Sequence, residues 1–414
     1  MRKKDIITKN KKNILIITTS FPCLGKSTSG NFVYELAKRL VSSYNVTVLA
    51  PHYSGFKLRE KWSGISVYRF RYFFTKWQKV CYGSGILPNI KKNKLLIFVL
   101  PFLFIFQFFA LIKIIRKEKI DLINAHWVLP SGLTSLLVAR IFNKPSVLTT
   151  HGPDVYTLIM KKGIIGFISR YVTNKVNQIT ATSTITAKLI SKYSKIDENK
   201  IKVISMGVDT NYFYPSEKLK EKGQKFLKEK IGKLSNSPLL LYVGSLSIHK
   251  GVNYLIKAMP KILKKYESAN LLIIGNGQQE DNLKKLSYKL GVNQNVHFIG
   301  SIKNDELPYY YNSADVFVLA SLREGLPVVL MEAMSSGCPV VATNIAGNPD
   351  IIDNGKNGFL IKIKSPKEIS QAVIKILSDE DLKNRFIKNA RKTIKEKYDW
   401  QIIANKFKTI FNST

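Results

Sequence analysis

The sequence predicts two α/β domains in series, each a doubly wound, Rossmann-like parallel sheet. A chain of 414 residues with 45% hydrophobic residues is typical of folded protein, but it is too long for one ordinary core. In both halves, short apolar segments that end in turn residues alternate with segments of helical spacing, and strand–helix–strand repetition favours parallel pairing. A polar, lysine-rich stretch near the middle interrupts this alternation, as expected of a junction between domains.

The first half opens with a predicted buried strand over residues 13–21 (NILIITTSF). A helix follows in NFVYELAKRLVSS, where Phe32, Leu36 and Leu40 share one face. A second helix is predicted over about residues 131–142. The other strands of this half are predicted in NVTVLAP, DLINAHW, SVLTTHG and QITATS.

The alternation restarts after ISMGVDTNYFYP, which covers residues 204–215. Strands are predicted in PLLLYVGSLS, NLLIIGNG, NVHFIG, ADVFVLAS, PVVAT and GFLIK, with helices such as GVNYLIKAMPKIL between them. We therefore expect an N-terminal domain over residues 1–205, a C-terminal domain over 206–396 and a final helix over 397–414. Ligands of such folds bind outside the carboxyl ends of the strands, so the cleft between the domains is the predicted active site.

The charge of the chain favours polyanionic partners. Its 65 basic and 28 acidic residues give a formal net charge of +37, which suits nucleic acid, an anionic membrane or phosphorylated ligands. The basic residues are spread along the chain and no nucleic-acid-binding motif accompanies them, so nucleic-acid binding is a remote alternative. Cys23, Cys81 and Cys338 are widely spaced and form neither a disulfide framework nor a metal-ligand cluster, which favours a reducing cytoplasm. The first residues are too polar for a signal peptide.

One segment raises the question of a membrane. Residues 95–112 (LLIFVLPFLFIFQFFALI) contain no charge, lysines flank them on both sides, and their length is sufficient to span a bilayer. Pro101, Gln107 and the α/β pattern that resumes directly afterwards favour a helix that lies in the interface of an anionic membrane. A plain core helix and a spanning helix are the alternatives.

The GKST sequence at residues 25–28 resembles the end of a P-loop, but the motif needs a glycine where Ser20 stands. Pro22 also removes a backbone donor from the loop. The remaining feature is a loop that leads into a helix near Gly30, where free N–H groups suit a phosphate. An ordinary βα turn is the alternative.

The stretch EGLPVVLME, residues 324–332, sets two carboxylates eight positions apart around an apolar segment. Pro327 is suited to the start of a helix, so Glu324 is expected in the preceding loop and Glu332 within a buried helix. A buried carboxylate requires a partner, which is either an Arg or Lys or the hydroxyl pair of a ribose. Glu324, beside exposed N–H groups, suits a second polyhydroxyl group. A ligand with a ribose at Glu332, a sugar at Glu324 and phosphates between them is a nucleotide sugar.

Along essentially its whole length the sequence resembles the retaining glycosyltransferases of family 4, which have the GT-B fold. EGLPVVLMEAMSSGCPVVATNIAGNPDII resembles the E-x7-E segment of that family, YVGSLSIHKG its phosphate-binding loop and MGVDTNYFYP its interdomain hinge. HGPDVY matches a first-domain loop, and AHWVLPSG resembles the acceptor-side motif of members that build cell-surface polysaccharides. YDWQIIANKFKTIF resembles a final helix that often crosses back to the first domain.

The resemblance implies roles for particular residues. Glu332 would hold the ribose hydroxyls, Glu324 the transferred sugar, and Lys250 the departing diphosphate. The catalytic group would comprise His151, Lys250 and Glu324. Further residues are expected near the donor or the acceptor: the turn Gly325, Leu326 and Pro327 against sugar and phosphate, Gly30 where the first-domain loop approaches, and His126 and Asp154 on the acceptor side. Ser245, also expected at the donor, stands where many members have an arginine, so Lys250 acts alone there or with a residue such as Arg323.

The implied function is metal-independent transfer of a hexose, with retention, from a UDP- or GDP-linked sugar to a hydroxyl of a lipid-linked or polysaccharide acceptor. No cofactor is expected, because the nucleotide sugar is a substrate and no loop carries a metal-binding pair of aspartates. The expected location is cytoplasmic and peripheral at the inner face of the cell membrane. A sugar-phosphate synthase or phosphorylase of the same fold is the nearer alternative.

Overall fold

The computed structural model divides the chain into two compact units. The structure describes residues 11–23, 30–83, 85–232 and 237–414. Unit 1 comprises Met1–Thr182, Thr186–Ile204 and Ile403–Thr414, and unit 2 comprises Ser183–Ile185 and Ser205–Ile402. The GKST sequence at residues 25–28 lies outside the described residues.

Strands and helices alternate along both halves. The strands are β1 Asn13–Ile17, β2 Asn45–Pro51, β3 Arg59–Trp62, β4 Ile65–Phe70, β5 Leu122–His126, β6 Ser146–Thr150, β7 Gln178–Ala181, β8 Ile201–Val203, β9 Leu239–Val243, β10 Asn270–Ile274, β11 Val296–Gly300, β12 Val316–Leu319, β13 Val340–Thr343 and β14 Phe359–Ile361. The helices are α1 Asn31–Leu40, α2 Ile86–Lys92, α3 Leu100–Lys117, α4 Leu133–Ile141, α5 Ile164–Lys175, α6 Thr184–Ser194, α7 Glu217–Ile231, α8 Val252–Leu263, α9 Glu280–Lys289, α10 Leu307–Ser313, α11 Val328–Ser335, α12 Asn348–Ile351, α13 Pro366–Ser378, α14 Glu380–Lys397 and α15 Trp400–Ser413.

Unit 1 is built on a sheet whose described strands run in the order β3-β4-β2-β1-β5-β6-β7-β8. All neighbours pair in parallel except β3 and β4, which are antiparallel, so one antiparallel strand is added at the edge of the predicted parallel sheet. The two-residue connection explains the reversal. Ser63 and Gly64 both adopt positive φ, at 50° and 76°, which matches the tight turn that joins antiparallel strands.

Unit 2 is built on a second sheet with the order β11-β10-β9-β12-β13-β14, and every described pair is parallel. Its central strands β9, β10, β12 and β13 are rich in Leu, Ile and Val and almost fully buried, as required when helices cover both faces. The order reverses between β9 and β12. The loops after two such strands flank the crevice where ligands of doubly wound sheets bind.

Local signals fix where several helices of unit 2 begin. Ser365 caps α13, because its hydroxyl accepts a bond from the Glu368 backbone N–H, and Pro366 occupies the first helical position. Asp379 caps α14 in the same way through the Leu382 N–H, at 2.9 Å. These caps fix the starts of two helices whose buried apolar residues belong to the core of unit 2.

The apolar segment of unit 1 forms a short 3₁₀ turn, Lys94–Val99, that leads into α3. Pro101 lies in the first turn of α3, where a missing N–H breaks no helical bond. Gln107 is fully buried and accepts a bond from the Thr134 hydroxyl of α4 at 2.9 Å. Among the described residues, Lys94–Lys117 is long and apolar enough to cross a membrane, and one of its faces is packed into unit 1.

The end of α15 belongs to unit 1 and packs within it. The Tyr44 hydroxyl donates to the Asn412 side-chain oxygen at 2.8 Å, and the Tyr44 and Phe411 rings lie 6.0 Å apart. Tyr44 follows α1, so the last helix covers the connection between α1 and β2.

Candidate active site

The candidate site of unit 2 is formed by the loops that follow β9 and β12. These strands are neighbours, so their carboxyl ends meet at one edge of the sheet. The Leu322 N–H donates to the His249 carbonyl oxygen at 2.7 Å and joins the two loops. Gly251 has φ 61° and approaches so closely that a Cβ would lie 2.1 Å from the Ala320 carbonyl oxygen. Only glycine meets both conditions without distortion.

Lys250 and Glu324 form an ion pair across these loops. The Lys250 ammonium lies 2.6 Å from Glu324 Oε1, and the Ser321 hydroxyl donates to the same oxygen at 2.6 Å. The Glu324 side chain is only 9% exposed and that of Lys250 is 25% exposed. The sequence predicts both residues at the donor but not their pairing. Each group holds the other in place and partly neutralises its charge.

Glu332 lies in α11, in the second turn of the helix that was predicted to start near Pro327. Its carboxylate accepts a bond from the Tyr311 hydroxyl at 2.9 Å. Burial raises the pKa of Glu332 to about 7, and the bond from Tyr311 acts in the opposite direction. Among the described residues no Arg or Lys forms an ion pair with Glu332, and the Tyr311 hydroxyl is its hydrogen-bond partner. Tyr311, on α10, has no sequence signal beyond its apolar surroundings.

The turn Gly325–Pro327 carries unused backbone donors. Among the described residues, no backbone hydrogen bond uses the N–H of Gly325 or Leu326, and no side chain caps α11. Gly347, at φ 88°, packs against this turn, and a Cβ there would lie 2.1 Å from the Gly325 carbonyl oxygen. Such unpaired donors beside a helix start favour an anion or hydroxyl oxygens.

Ser245 is exposed in the loop after β9, and its carbonyl oxygen accepts a bond from the Tyr242 hydroxyl at 3.0 Å. Its side chain therefore adds no charge to the loop that carries Lys250. Arg323 lies beside Glu324 in the second loop.

The candidate site of unit 1 is a histidine pair at the ends of β5 and β6. His126 Nδ1 lies 3.0 Å from His151 Nε2, and His126 Nε2 lies 3.0 Å from Asn124 Oδ1. His126 is 1% exposed and both of its ring nitrogens are bonded within unit 1. The expectation that its side chain faces an acceptor is therefore corrected, because His126 reaches a ligand only through His151.

Asp154 is also internal rather than a direct acceptor contact. Its carboxylate accepts bonds from the backbone N–H groups of His151 at 2.9 Å, Val128 at 3.3 Å and Val155 at 3.1 Å. Burial raises the pKa of Asp154 to about 6, although these N–H groups favour the ionised form. Asp154 thus fixes the loop that carries His151.

His151 itself lies between two aromatic rings. Its ring centroid is 4.8 Å from that of Phe32 on α1 and 4.5 Å from that of Trp127. Gly30, directly before α1, has φ 80°, and a Cβ there would lie 2.3 Å from the Ser20 carbonyl oxygen. Gly30 therefore allows the start of α1 to lie against the segment that follows β1.

Within the described residues, no group of three or more His, Cys, Asp or Glu side chains is arranged to hold a metal ion. A groove of about 310 Å³ lies between α8 and α9 of unit 2, with Tyr254, Lys257 and Asn282 in its walls. Ser247 and Leu322, from the two loops that form the candidate site, also line this groove, but neither Glu324 nor Glu332 does.

Comparison with known proteins gives two family matches. The sequence model described as Glycosyltransferase Family 4 matches residues 29–212, and the one described as Glycosyl transferases group 1 matches residues 223–393. An uncharacterized glycosyltransferase of Methanocaldococcus jannaschii is 32% identical over 306 residues, which cover 72% of this chain and 76% of that protein. The capsular polysaccharide biosynthesis glycosyltransferase CapM of Staphylococcus aureus is 30% identical over 311 residues, or 73% of this chain and 79% of CapM.

Solved structures share the fold at lower identity. Sucrose-phosphate synthase from Thermosynechococcus elongatus superposes with a TM-score of 0.78 at 20% identity, covering 97% of this chain and 99% of that one. HepE of Anabaena, solved in complex with UDP, gives a TM-score of 0.77 at 19% identity over 97% of this chain and 100% of HepE.

Proposed function

The chain belongs to glycosyltransferase family 4 and has the GT-B fold, and from this premise we propose that it transfers a hexose from a UDP- or GDP-linked sugar to a hydroxyl of a lipid-linked or polysaccharide acceptor. The arrangement in unit 2 carries the proposal: Lys250 pairs with Glu324 beside unused N–H groups, and Glu332 has Tyr311 as its hydrogen-bond partner. We propose that the transferred sugar retains its configuration.

The donor chemistry follows from these groups. Glu332 offers carboxylate oxygens to the two hydroxyls of a ribose. Lys250 and the N–H groups of Gly325 and Leu326 present positive potential to the diphosphate, which gains charge as it leaves. The bond from the sugar carbon to the diphosphate oxygen breaks while the acceptor oxygen bonds on the same face. The acceptor proton passes to an oxygen of the departing phosphate, and Lys250 with the two N–H groups would take the place of a metal ion in stabilising its charge.

On this proposal His151 lies beside the reacting sugar and Glu324 accepts from the hydroxyls of that sugar. The three described cysteines are free, which fits a reducing cytoplasm. HepE has been solved with UDP-glucose and with UDP and glucose, which makes UDP-sugars the first donors to test. The similarity to CapM supports an acceptor in cell-surface polysaccharide synthesis.

A donor panel tests this function. We expect one of the UDP-, GDP- or ADP-sugars to raise the melting temperature, because a ligand at 100 times its Kd stabilises by about 2.7 kcal/mol. Glu332→Gln should lose that response while remaining folded. If no nucleotide sugar stabilises the protein and none is consumed with a membrane-lipid extract, the proposal fails. Consumption of orthophosphate or transfer to a sugar phosphate would support the phosphorylase or synthase alternative instead.

We also propose that unit 1 binds the surface of an anionic membrane, at the inner face of the cell membrane. The support comes from the outer face of α3 and the turn before it, where apolar residues recur every three or four positions and basic residues follow: Phe98, Phe102, Ile105, Phe106, Phe109, then Lys113, Arg116 and Lys117. Phe98 is 71% exposed and Phe109 61% exposed. The opposite face is packed into unit 1, which favours an interfacial helix over a spanning one.

Vesicle co-sedimentation tests the membrane proposal. Each half-exposed apolar side chain that enters the lipid contributes roughly 1 kcal/mol, and each basic residue near an anionic surface contributes about as much. Phe106→Ser with Phe109→Ser should therefore release the protein from phosphatidylserine vesicles. Tyr288→Ser, which removes a 70% exposed ring from α9, should not. Equal binding of all three proteins would contradict the proposal, and a salt-dependent shift of random DNA would support the nucleic-acid alternative.

A further inference from the structure

A buried chain of hydrogen bonds in unit 1 runs from β7 through β6 to the histidine pair. The Thr180 hydroxyl donates to Thr149 Oγ1 at 3.0 Å, Asn124 Nδ2 donates to the same oxygen at 2.9 Å, and Asn124 Oδ1 lies 3.0 Å from His126 Nε2. Asn124 and His126 are two positions apart on β5, so both side chains lie on one face of the sheet. Asn124 is fully buried.

The orientation of the Asn124 amide is fixed by its surroundings. Its Nδ2 lies 3.3 Å from the Val147 backbone carbonyl oxygen, which can only accept a hydrogen bond. The group that faces Val147 must therefore be the amide NH₂. The amide oxygen consequently faces His126, because the reverse orientation would set two acceptors against each other.

This orientation determines where each imidazole carries its proton. His126 Nε2 faces an oxygen that only accepts, so Nε2 carries the proton and, in the neutral ring, Nδ1 is an acceptor. His151 Nε2 lies 3.0 Å from that acceptor and must donate to it. The neutral His151 ring is then unprotonated at Nδ1. Burial lowers the pKa of His126 to about 3 and that of His151 well below its usual range, which keeps both rings neutral.

We infer that Asn124 is a positioning residue that sets the tautomer of His151 through His126, so that His151 offers an acceptor nitrogen and recognises a hydroxyl group rather than a phosphate. No described residue bonds to His151 Nδ1 at hydrogen-bond distance, so this nitrogen is available to a ligand. A sugar hydroxyl can donate to it, whereas ionised phosphate oxygens only accept and would be repelled. The assignment to a sugar rests on the proposed function, but the tautomer does not.

Long-range ¹H–¹⁵N correlation spectra of the ¹⁵N-labelled full chain read the tautomers without any ligand. We expect both His126 and His151 to be protonated at Nε2. Asn124→Leu should leave the rings in mixed tautomers and lower kcat/KM about tenfold, since one hydrogen bond to the sugar becomes unreliable. Thr180→Val is the matched control. It breaks a bond in the same buried chain but leaves Val147 to orient the Asn124 amide, so tautomer and turnover should persist.

Asn124→Asp gives a second test that does not depend on the folding of the leucine variant. An ionised carboxylate favours protonated His126, whose Nδ1 then donates and forces the His151 proton onto Nδ1. Asp154, which accepts the His151 backbone N–H, is the other titratable group of this cluster. We expect turnover of this variant to be lost at low pH and to recover as His126 deprotonates, with a steeper pH profile than the wild type.

The results separate the two proposals. A wild-type His151 protonated at Nδ1, or an Asn124→Leu protein with the wild-type tautomers, overturns the inference. An Asn124→Asp pH profile identical to that of the wild type overturns it as well. Wild-type protein with the expected tautomers but no turnover of any nucleotide sugar would refute the proposed function and leave the role of Asn124 in fixing the tautomer intact.

Discussion

Removal of the Tyr311 hydroxyl should weaken nucleotide binding by raising the pKa of Glu332. That carboxyl has a pKa of about 7 because it is buried, and the Tyr311 O–H, 2.9 Å from Oε2, favours the ionised form. A hydrogen bond to a charged group contributes about 1.5 kcal/mol, or roughly tenfold in the ionisation constant. Tyr311→Phe would therefore reduce the ionised share at pH 7 from about one half to about one tenth, and nucleotide affinity about fivefold.

Calorimetric titration with UDP or GDP between pH 7 and pH 9 measures this effect, because the terminal phosphate, with a pKa of about 6, is mostly ionised throughout this range. The wild type should bind more tightly as the pH rises above 7, and Tyr311→Phe should approach it only near pH 9. Tyr310→Phe is the matched control, since this neighbour on α10 makes no bond to Glu332. Affinity that is independent of pH in both proteins, or an equal loss of affinity in Tyr310→Phe, would contradict this role of the Tyr311 hydroxyl.

Three further outcomes are expected. Lys250→Met should lower kcat at least about a hundredfold with little change in KM for the nucleotide sugar, because the ammonium acts on charge that develops during transfer; a loss confined to KM would contradict this role. Glu332→Gln should stabilise the ligand-free protein at pH 8, on the order of 1–3 kcal/mol, and have no such effect at pH 4. The pKa of Glu332 is raised from 4.5 to about 7 in the folded protein, so ionisation of its carboxyl destabilises the wild type. This destabilisation is absent below pH 4.5 and complete above pH 7. A difference in melting temperature between variant and wild type that does not change with pH would exclude this explanation. Gly347→Ala should cost more stability than Gly355→Ala: both have positive φ, but a Cβ at Gly347 meets the Gly325 carbonyl at 2.1 Å while none meets an atom within 4 Å at Gly355. Equal melting temperatures of the two variants would contradict the close approach of Gly347 to the Gly325 carbonyl oxygen.

The sequence was sufficient for features that depend on local pattern. Pro327 and the apolar run after it predict α11, and with it the different settings of Glu324 and Glu332. The antiparallel edge of the first sheet was missed although Ser63 and Gly64 carry a turn signal, because the strands beside them are short and polar. The alternation of strands predicts which loops meet at one edge of a sheet.

Such local patterns could not predict contacts between side chains that are far apart in the sequence. Lys250 and Glu324 are 74 positions apart, and their pairing depends on β9 and β12 being neighbours. The Tyr311 hydroxyl finds Glu332 only because α10 packs beside α11. His126 was expected to face an acceptor, yet its position on β5 gives no sign that Asn124 and His151 occupy both ring nitrogens.

The Lys250–Glu324 ion pair of the ligand-free site disfavours ligands that can contact only one of these two side chains. A simple anion that attracts Lys250 leaves Glu324 without its cation, and a neutral sugar that engages Glu324 leaves Lys250 without its anion. Either ligand alone exchanges one good contact for another and gains little. A molecule that carries phosphate and hydroxyls together can satisfy both side chains at once. The ion pair therefore favours ligands that carry both a phosphate and hydroxyls, which would keep inorganic phosphate and free sugars of the cell from occupying the site.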